Sequence, residues 1–178
     1  MLELFKEMHI IWVVTLIVVI AIMLFSSGFV QAGNTYQYQK QQAVFTKAEI
    51  NLLKVLEQVV INPNLAIYGK IRVADILKPA IQKNANRKKW WSAFSKISQK
   101  HVDFVIVDKH DYSVVSVIEL NDKSHNRKDR QDRDKFIRKA YASANIELVE
   151  IKAARHYFVS DLLGQFSETT QRKLQGNN

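Results

Sequence analysis

Cysteine is absent from the 178 residues, which excludes disulfide frameworks, zinc ribbons, iron–sulfur clusters and a cysteine nucleophile together. Charge is absent from Ile10 to Phe25, where the chain reads IIWVVTLIVVIAIMLF. Acidic residues are absent from Lys78 to Lys100, a stretch that carries Lys78, Lys83, Arg87, Lys88, Lys89, Lys96 and Lys100 around Trp90 and Trp91. The rest is the composition of a packed globular chain, with 47% hydrophobic and 24% charged residues, so wholesale disorder and fibrous repeats are excluded. The length suits one domain. The formal charge is +9, and residues 1–32 hold only Lys6 against Glu3 and Glu7. The excess positive charge therefore resides beyond residue 32.

The apolar character beyond Phe25 continues to Val30, giving 21 residues from Ile10. A bilayer core takes roughly 20, so one transmembrane helix is expected, with Trp12 as an interfacial aromatic anchor. A cleaved signal peptide is the competing reading, since Val30-Gln31-Ala32 resembles a peptidase site. Glu3 and Glu7 argue against it by cancelling the positive charge that a secretory leader carries at its start. Lys40 and Lys47 against Lys6 place the C-terminal domain on the cytoplasmic side under the positive-inside rule. The expected division is an anchor over 1–32, a polar linker over 33–44, an α/β domain over 45–160 and a tail over 161–178.

Within the domain, Thr46-Lys47-Ala48-Glu49 is a capping box that opens an amphipathic helix with Leu52, Leu53, Leu56, Val59 and Val60 at helical spacing. Residues 67–77 alternate as a strand, with Ile67, Gly69, Ile71 and Val73 on one side. VDFVIV from Val102 and SVVSVIEL from Ser113 are two further strands joined by a short polar connection. Phe136, Ile137, Ala140, Tyr141 and Ala144 mark a second helix, and IELVEI from Ile146 a last strand. The expected architecture is a sheet with helices on its faces, its last strand reached by a crossover. Asp161 onward is expected to be a short helix that frays into 171–178.

Asp103 and Glu119 stand inside apolar strands, where an uncompensated carboxylate is costly. In an antiparallel hairpin the start of one strand meets the end of the next, which makes the two acids a pair. Mg²⁺ or Mn²⁺ binds one or two carboxylates together with water and substrate phosphate oxygens. The matching chemistry is metal-dependent phosphodiester hydrolysis, with the ion polarising the phosphate and His125 accepting the proton of a bound water.

Asp103, the run Glu119-x-Asn121-Asp122-x-Ser124-His125, and Arg130, Arg133 and Asp134 beyond it resemble the bacterial Domain of Unknown Function 2726 family. That family is similar to the very-short-patch-repair branch of the restriction-endonuclease-like, PD-(D/E)xK, superfamily. The resemblance covers about Phe45 to Tyr157 and includes the Thr-x-x-Glu helix start and Val73-Ala74-Asp75-Ile76-Leu77. It implies a restriction-endonuclease-like helix–strand–strand–strand–helix–strand core behind one transmembrane helix, in the inner membrane of a bacterium. It also implies a nuclease site with Asp103, Glu119 and His125 as catalytic residues and Glu49 as an accessory acid. Asp103, Glu119 and Asn121 would hold the metal. Asn121 stands where the family usually has Asp and the wider superfamily Lys, and Glu150 where related domains commonly carry Arg.

Each feature has a plainer explanation beside it. Asp103 and Glu119 are also what strand-end acids facing a lysine look like, and Glu49 is accounted for by the capping box alone. Nucleic acid is the expected partner, held by Lys88, Lys89, Trp90, Lys123, Arg130 and Arg133, with an indole stacking on a base. Anionic lipid is the rival for the Lys78–Lys100 block. The alternative to a nuclease is a catalytically silent nuclease fold that binds nucleic acid or a protein partner at the membrane, and Asn121 motivates it.

Overall fold

The computed structural model describes residues 9, 12–23, 36–121 and 128–176, the side chains of 128–133 excepted. It divides into Met1–Gln42 and Ala43–Asn178. In the first unit, helix α1 covers 12–23, and its residues are exposed throughout. Among the described residues no helix is long and apolar enough to cross a membrane. This corrects the transmembrane helix expected for Ile10–Val30, and with it the single-pass inner-membrane placement. The expectation rested on the length of the apolar run, of which residues 12–23 are described. Residues 10, 11 and 24–30 lie outside the described residues.

The second unit is mixed α/β, built on one four-stranded sheet. Helix α2 (Lys47–Val59) opens on Thr46. The Thr46 amide donates to Glu49 Oε2 at 2.7 Å, and the Glu49 amide donates to the Thr46 hydroxyl at 3.3 Å. Its apolar stripe buries Leu52, Leu56 and Val59 completely, each such side chain contributing about 1.5–3 kcal/mol.

Strands β1 (Leu65–Arg72), β2 (His101–Asp108), β3 (Val114–Asn121) and β4 (Glu147–Lys152) lie in sequence order across the sheet. The first three pair antiparallel. β4 runs parallel to β3, which requires the crossover that helix α5 (Lys128–Ser143) supplies.

The strand read as 67–77 ends at Arg72, because Val73–Ile76 forms the short helix α3. The Val73 amide donates to Lys100 O at 2.8 Å and its side chain is buried, so the chain turns inward there. The basic block contains helix α4 (Arg87–Ser95), capped by Asn86 Oδ1 accepting from the Lys89 amide.

Two apolar layers cover the sheet. Leu52, Leu56, Phe104, Ile106, Ile118 and Val149 form one, and Val73, Val102, Val105, Val117 and Tyr141 lie in the other. Neighbouring residues Val117 and Ile118 face opposite layers, as strand geometry demands. Helices α6 (Val159–Leu163) and α7 (Glu168–Gln175) complete the first layer with Leu162 and Leu174, joined by Phe166 from the connection between them. The fraying expected of 171–178 is therefore corrected for the described part, where a fully buried Leu174 holds α7 down.

Candidate functional site

Phe45 leans on Phe104 with ring centroids 5.5 Å apart, and it also covers Gly69. A Cβ at position 69 would stand 2.4 Å from the Phe45 ring, so glycine is required there by contact. The next residue, Lys70, has φ 58°, in the left-handed region that costs a side-chain-bearing residue energy. The paired register of β1 and β2 has Gly69 opposite Phe104 and Ile71 opposite Val102. Lys70 uses this local backbone to bring its ammonium 2.5 Å from Glu49 Oε1 and 3.3 Å from Asp103 Oδ1. Burial works against charge on both Glu49 and Lys70, but it is outweighed. The Lys70 hydrogen bond and charge, with the Thr46 amide, leave Glu49 below its ordinary value. The Glu49 hydrogen bond and the Asp103 charge lift Lys70 above its own.

The pairing of β2 with β3 begins at Phe104–Ile118. One residue further out, the Asp103 carboxylate takes the backbone's place: Oδ2 accepts the Leu120 amide at 2.8 Å. Glu119 lies beside it. Burial chiefly, then the Asp103 and Glu150 charges, push the Glu119 carboxyl up to about 8. Glu150 stands opposite Glu119 in the β3–β4 register. Arg138 meets Glu150 through Nε at 2.6 Å and Nη2 at 2.7 Å, and Asn121 Nδ2 donates to Glu150 at 3.2 Å. The Arg138 bond leads in holding Glu150 below the ordinary carboxylate range, against burial and with help from Asn121. An open cavity of about 310 Å³ lies over this group, lined among others by His101, Glu119, Asn121, Asp134, Arg138 and Glu150. Among the described residues the buried Tyr141 hydroxyl has no hydrogen-bond partner, and burial followed by the Glu119 charge raises its pKa.

Asp103 and Glu119 thus come together, but a lysine that sequence reading left on a strand face stands at the same acids. Lys70 was hidden because period-two alternation treats it as an ordinary outward residue. A Gly-Lys step inside an apolar strand is the only local sign of the irregular backbone. Glu49 does more than close its capping box, since its second oxygen holds Lys70. Glu150 replaces an expected arginine and takes Arg138 instead. His125, Asp122, Lys123 and Ser124 lie outside the described residues, as do the side chains of Arg130 and Arg133.

The nuclease, magnesium and hydrolase character expected of Asp103, Glu119 and Asn121 is corrected to this extent: the described residues give it no support. Among the described residues no group of three or more His, Asp or Glu could hold a metal ion. The donors explain why. Both Asp103 oxygens are engaged, one by Lys70 and one by the Leu120 amide. Burial and the Asp103 and Glu150 charges push the Glu119 carboxyl up to about 8, and Asn121 Nδ2 donates to Glu150. Among the described residues, Asp103 and the Asn121 amide nitrogen are thus committed to protein partners.

The second concentration of chemistry is α4. None of its nine residues is buried, although three are aromatic. Trp90 stacks on Phe94 with centroids 4.8 Å apart and planes 13° from parallel, and Trp91 meets both rings edge-on. The Lys83 ammonium lies 5.0 Å from the Trp90 ring and 4.9 Å from that of Trp91, within cation–π range. Trp91 is 45% exposed, and Arg87, Lys88 and Lys89 are exposed beside it. The result is a surface aromatic cluster bordered by cations.

The family described as "Protein of unknown function (DUF2726)" matches residues 41–169. No curated protein and no solved structure matches the chain.

Proposed function

We propose that this chain, which belongs to the DUF2726 family, is a nucleic-acid-binding module that grips a single strand on α4 and does not cut it. The observation that carries the reading is the Trp90–Trp91–Phe94 cluster, with Trp91 exposed and Trp90 and Phe94 half-buried, on a helix in a segment with no carboxylate from Lys78 to Lys100. Burying an aromatic ring is among the most favourable things a helix can do. A three-ring cluster at the surface, bordered by Lys83, Arg87, Lys88 and Lys89, offers bases a stacking platform and the backbone a cationic border.

The restriction-endonuclease-like framework belongs to this proposal too. It is supported by the order α2, β1, β2, β3, α5, β4, with the short α3 and α4 inserted between β1 and β2, and by the convergence of Asp103 and Glu119. The ammonium of Lys70 beside Glu49 and Asp103 supports a binding role for that framework, since a cation already meets these acids. The cavity over these acids carries Glu150 and Asp134 beside Lys100 and Arg138, a border of mixed charge, whereas the charged residues of α4 are basic alone.

The test is fluorescence anisotropy of a labelled 20-nucleotide single strand across a salt series, with Mg²⁺ present and absent. Binding should weaken steeply with salt. Lys88→Gln with Lys89→Gln should lower the slope of log K against log salt by roughly 0.7 for each phosphate no longer neutralised. Trp91→Ala should cost about 1–3 kcal/mol of affinity at every salt concentration. Unchanged binding in these variants would remove the proposal. So would Mg²⁺-dependent cleavage of the strand that disappears in Asp103→Ala.

A further inference from the structure

A second cavity, of about 740 Å³, opens between the segment after α3, the far end of α4, and α5. Leu77, Pro79, Ala93, Ile97, Phe136 and Ala140 are among the residues that line it. Its size falls within the ~300–1,000 Å³ typical of small-molecule sites, and its lining is of the mostly apolar kind such sites have. The room exists because alanines stand at the facing positions 80, 93, 140 and 144, where larger side chains would close it.

The polar groups at its border are Ser143 and two exposed lysines, Lys78 and Lys139. Among the described residues no carboxylate lines the cavity and neither lysine is ion-paired. A nucleobase is a poor occupant, because its polar edges would meet hydrocarbon and lose their hydrogen bonds. An apolar trough with a cationic border complements a molecule with an apolar body and one anionic end.

We propose that this cavity binds a single-chain fatty carboxylate, its hydrocarbon between α4 and α5 and its carboxylate at Lys78 and Lys139. The site is separate from the ring cluster, since α4 turns Ala93 toward the cavity while Trp90 and Trp91 are not among its lining residues. It therefore goes beyond the nucleic-acid reading and stands or falls apart from it.

Calorimetric titration of the full chain with laurate, dodecanol and dodecyltrimethylammonium, all at submicellar concentration, separates chain from charge. Laurate is expected to bind saturably at one per chain, dodecanol more weakly, and the cationic amphiphile not at all. Ala140→Phe, which fills the cavity, should weaken laurate by at least about tenfold. Lys78→Gln and Lys139→Gln should each weaken laurate by about two- to fivefold, the range of an exposed ion pair, and leave dodecanol unchanged. Should Ala140→Phe fail to fold, these lysine variants decide the matter. Absence of saturable laurate binding overturns the proposal. Equal binding of laurate and the cationic amphiphile overturns it as well, and so does laurate affinity untouched by the lysine changes.

Discussion

Lys70 holds its ammonium 3.3 Å from Asp103 Oδ1 while its own backbone sits at φ 58°. A lysine in that conformation persists only where surrounding contacts over-determine it. Here they are the ion pairs to Asp103 and Glu49 and the packing of Phe45 over the adjacent Gly69.

Replacing Lys70 divides the two contributions. Lys70→Met keeps a long stem and the unfavourable φ but strands Glu49, whose side chain is only 9% exposed. A loss of about 1–3 kcal/mol in urea unfolding is expected, the cost of leaving a largely buried polar group without its partner. Lys70→Gly loses the same pairs but relieves the left-handed strain, so it should fall measurably less. Equal losses in the two variants would show that the backbone conformation costs nothing here.

Glu119 fixes the sign of a pH effect. Its carboxyl is raised from an ordinary 4.5 to about 8 by burial and then by the charges of Asp103 and Glu150. Between those values the folded chain binds the proton more tightly than the unfolded chain, so stability falls as pH rises. The contribution is complete below about 4.5 and gone above about 8. Glu49, held below its ordinary value, acts in the opposite sense and below that window, where its contribution is lost as pH falls. Glu119→Gln should therefore flatten the decline between pH 5 and 8, and its advantage over wild type should grow toward pH 8. Parallel curves for the two proteins in chemical denaturation at several pH values would contradict this.

Much of this architecture was open to sequence reading because it is local or periodic. The capping box at Thr46 and the alternation in β2 and β3 act within a few residues, and their physics needs no tertiary context. The convergence of Asp103 with Glu119 followed from hairpin geometry alone. Lys70 was not legible, since its role depends on a left-handed residue and on partners 21 and 33 positions away. Arg138 with Glu150 and Gln175 with Val59 are equally non-local. The apolar run at the N-terminus was read from hydropathy alone, and among the described residues no helix is long and apolar enough to cross a membrane.

Gly69 tests the packing that supports the acids. A methyl group there meets Phe45 Cε1 and Cζ at 2.4 Å, so the ring must swing off Phe104 or β1 must move. Gly69→Ala should cost about 1–3 kcal/mol, the usual penalty of overpacking. Phe45→Leu removes the colliding ring atoms, so the double variant should be less destabilised than the sum of the two single changes. Additive losses would mean that the collision is relieved elsewhere.

Leu174 decides whether the C-terminal segment is part of the folding unit. It is fully buried in the same layer as Leu56 and Val59. Its carbonyl accepts the Asn62 amide at 3.0 Å, Asn62 Nδ2 donates to Lys173 O at 2.8 Å, and Gln175 Nε2 donates to Val59 O at 2.9 Å. These bonds fasten α7 to the end of α2, so loss of packing at Leu174 should be felt by the whole unit. Leu174→Ala should cost about 2–5 kcal/mol of global stability, and slow amide exchange at Leu52 and Leu56 should accelerate with it. Acceleration confined to 168–176 would instead make α7 an appendage that opens on its own.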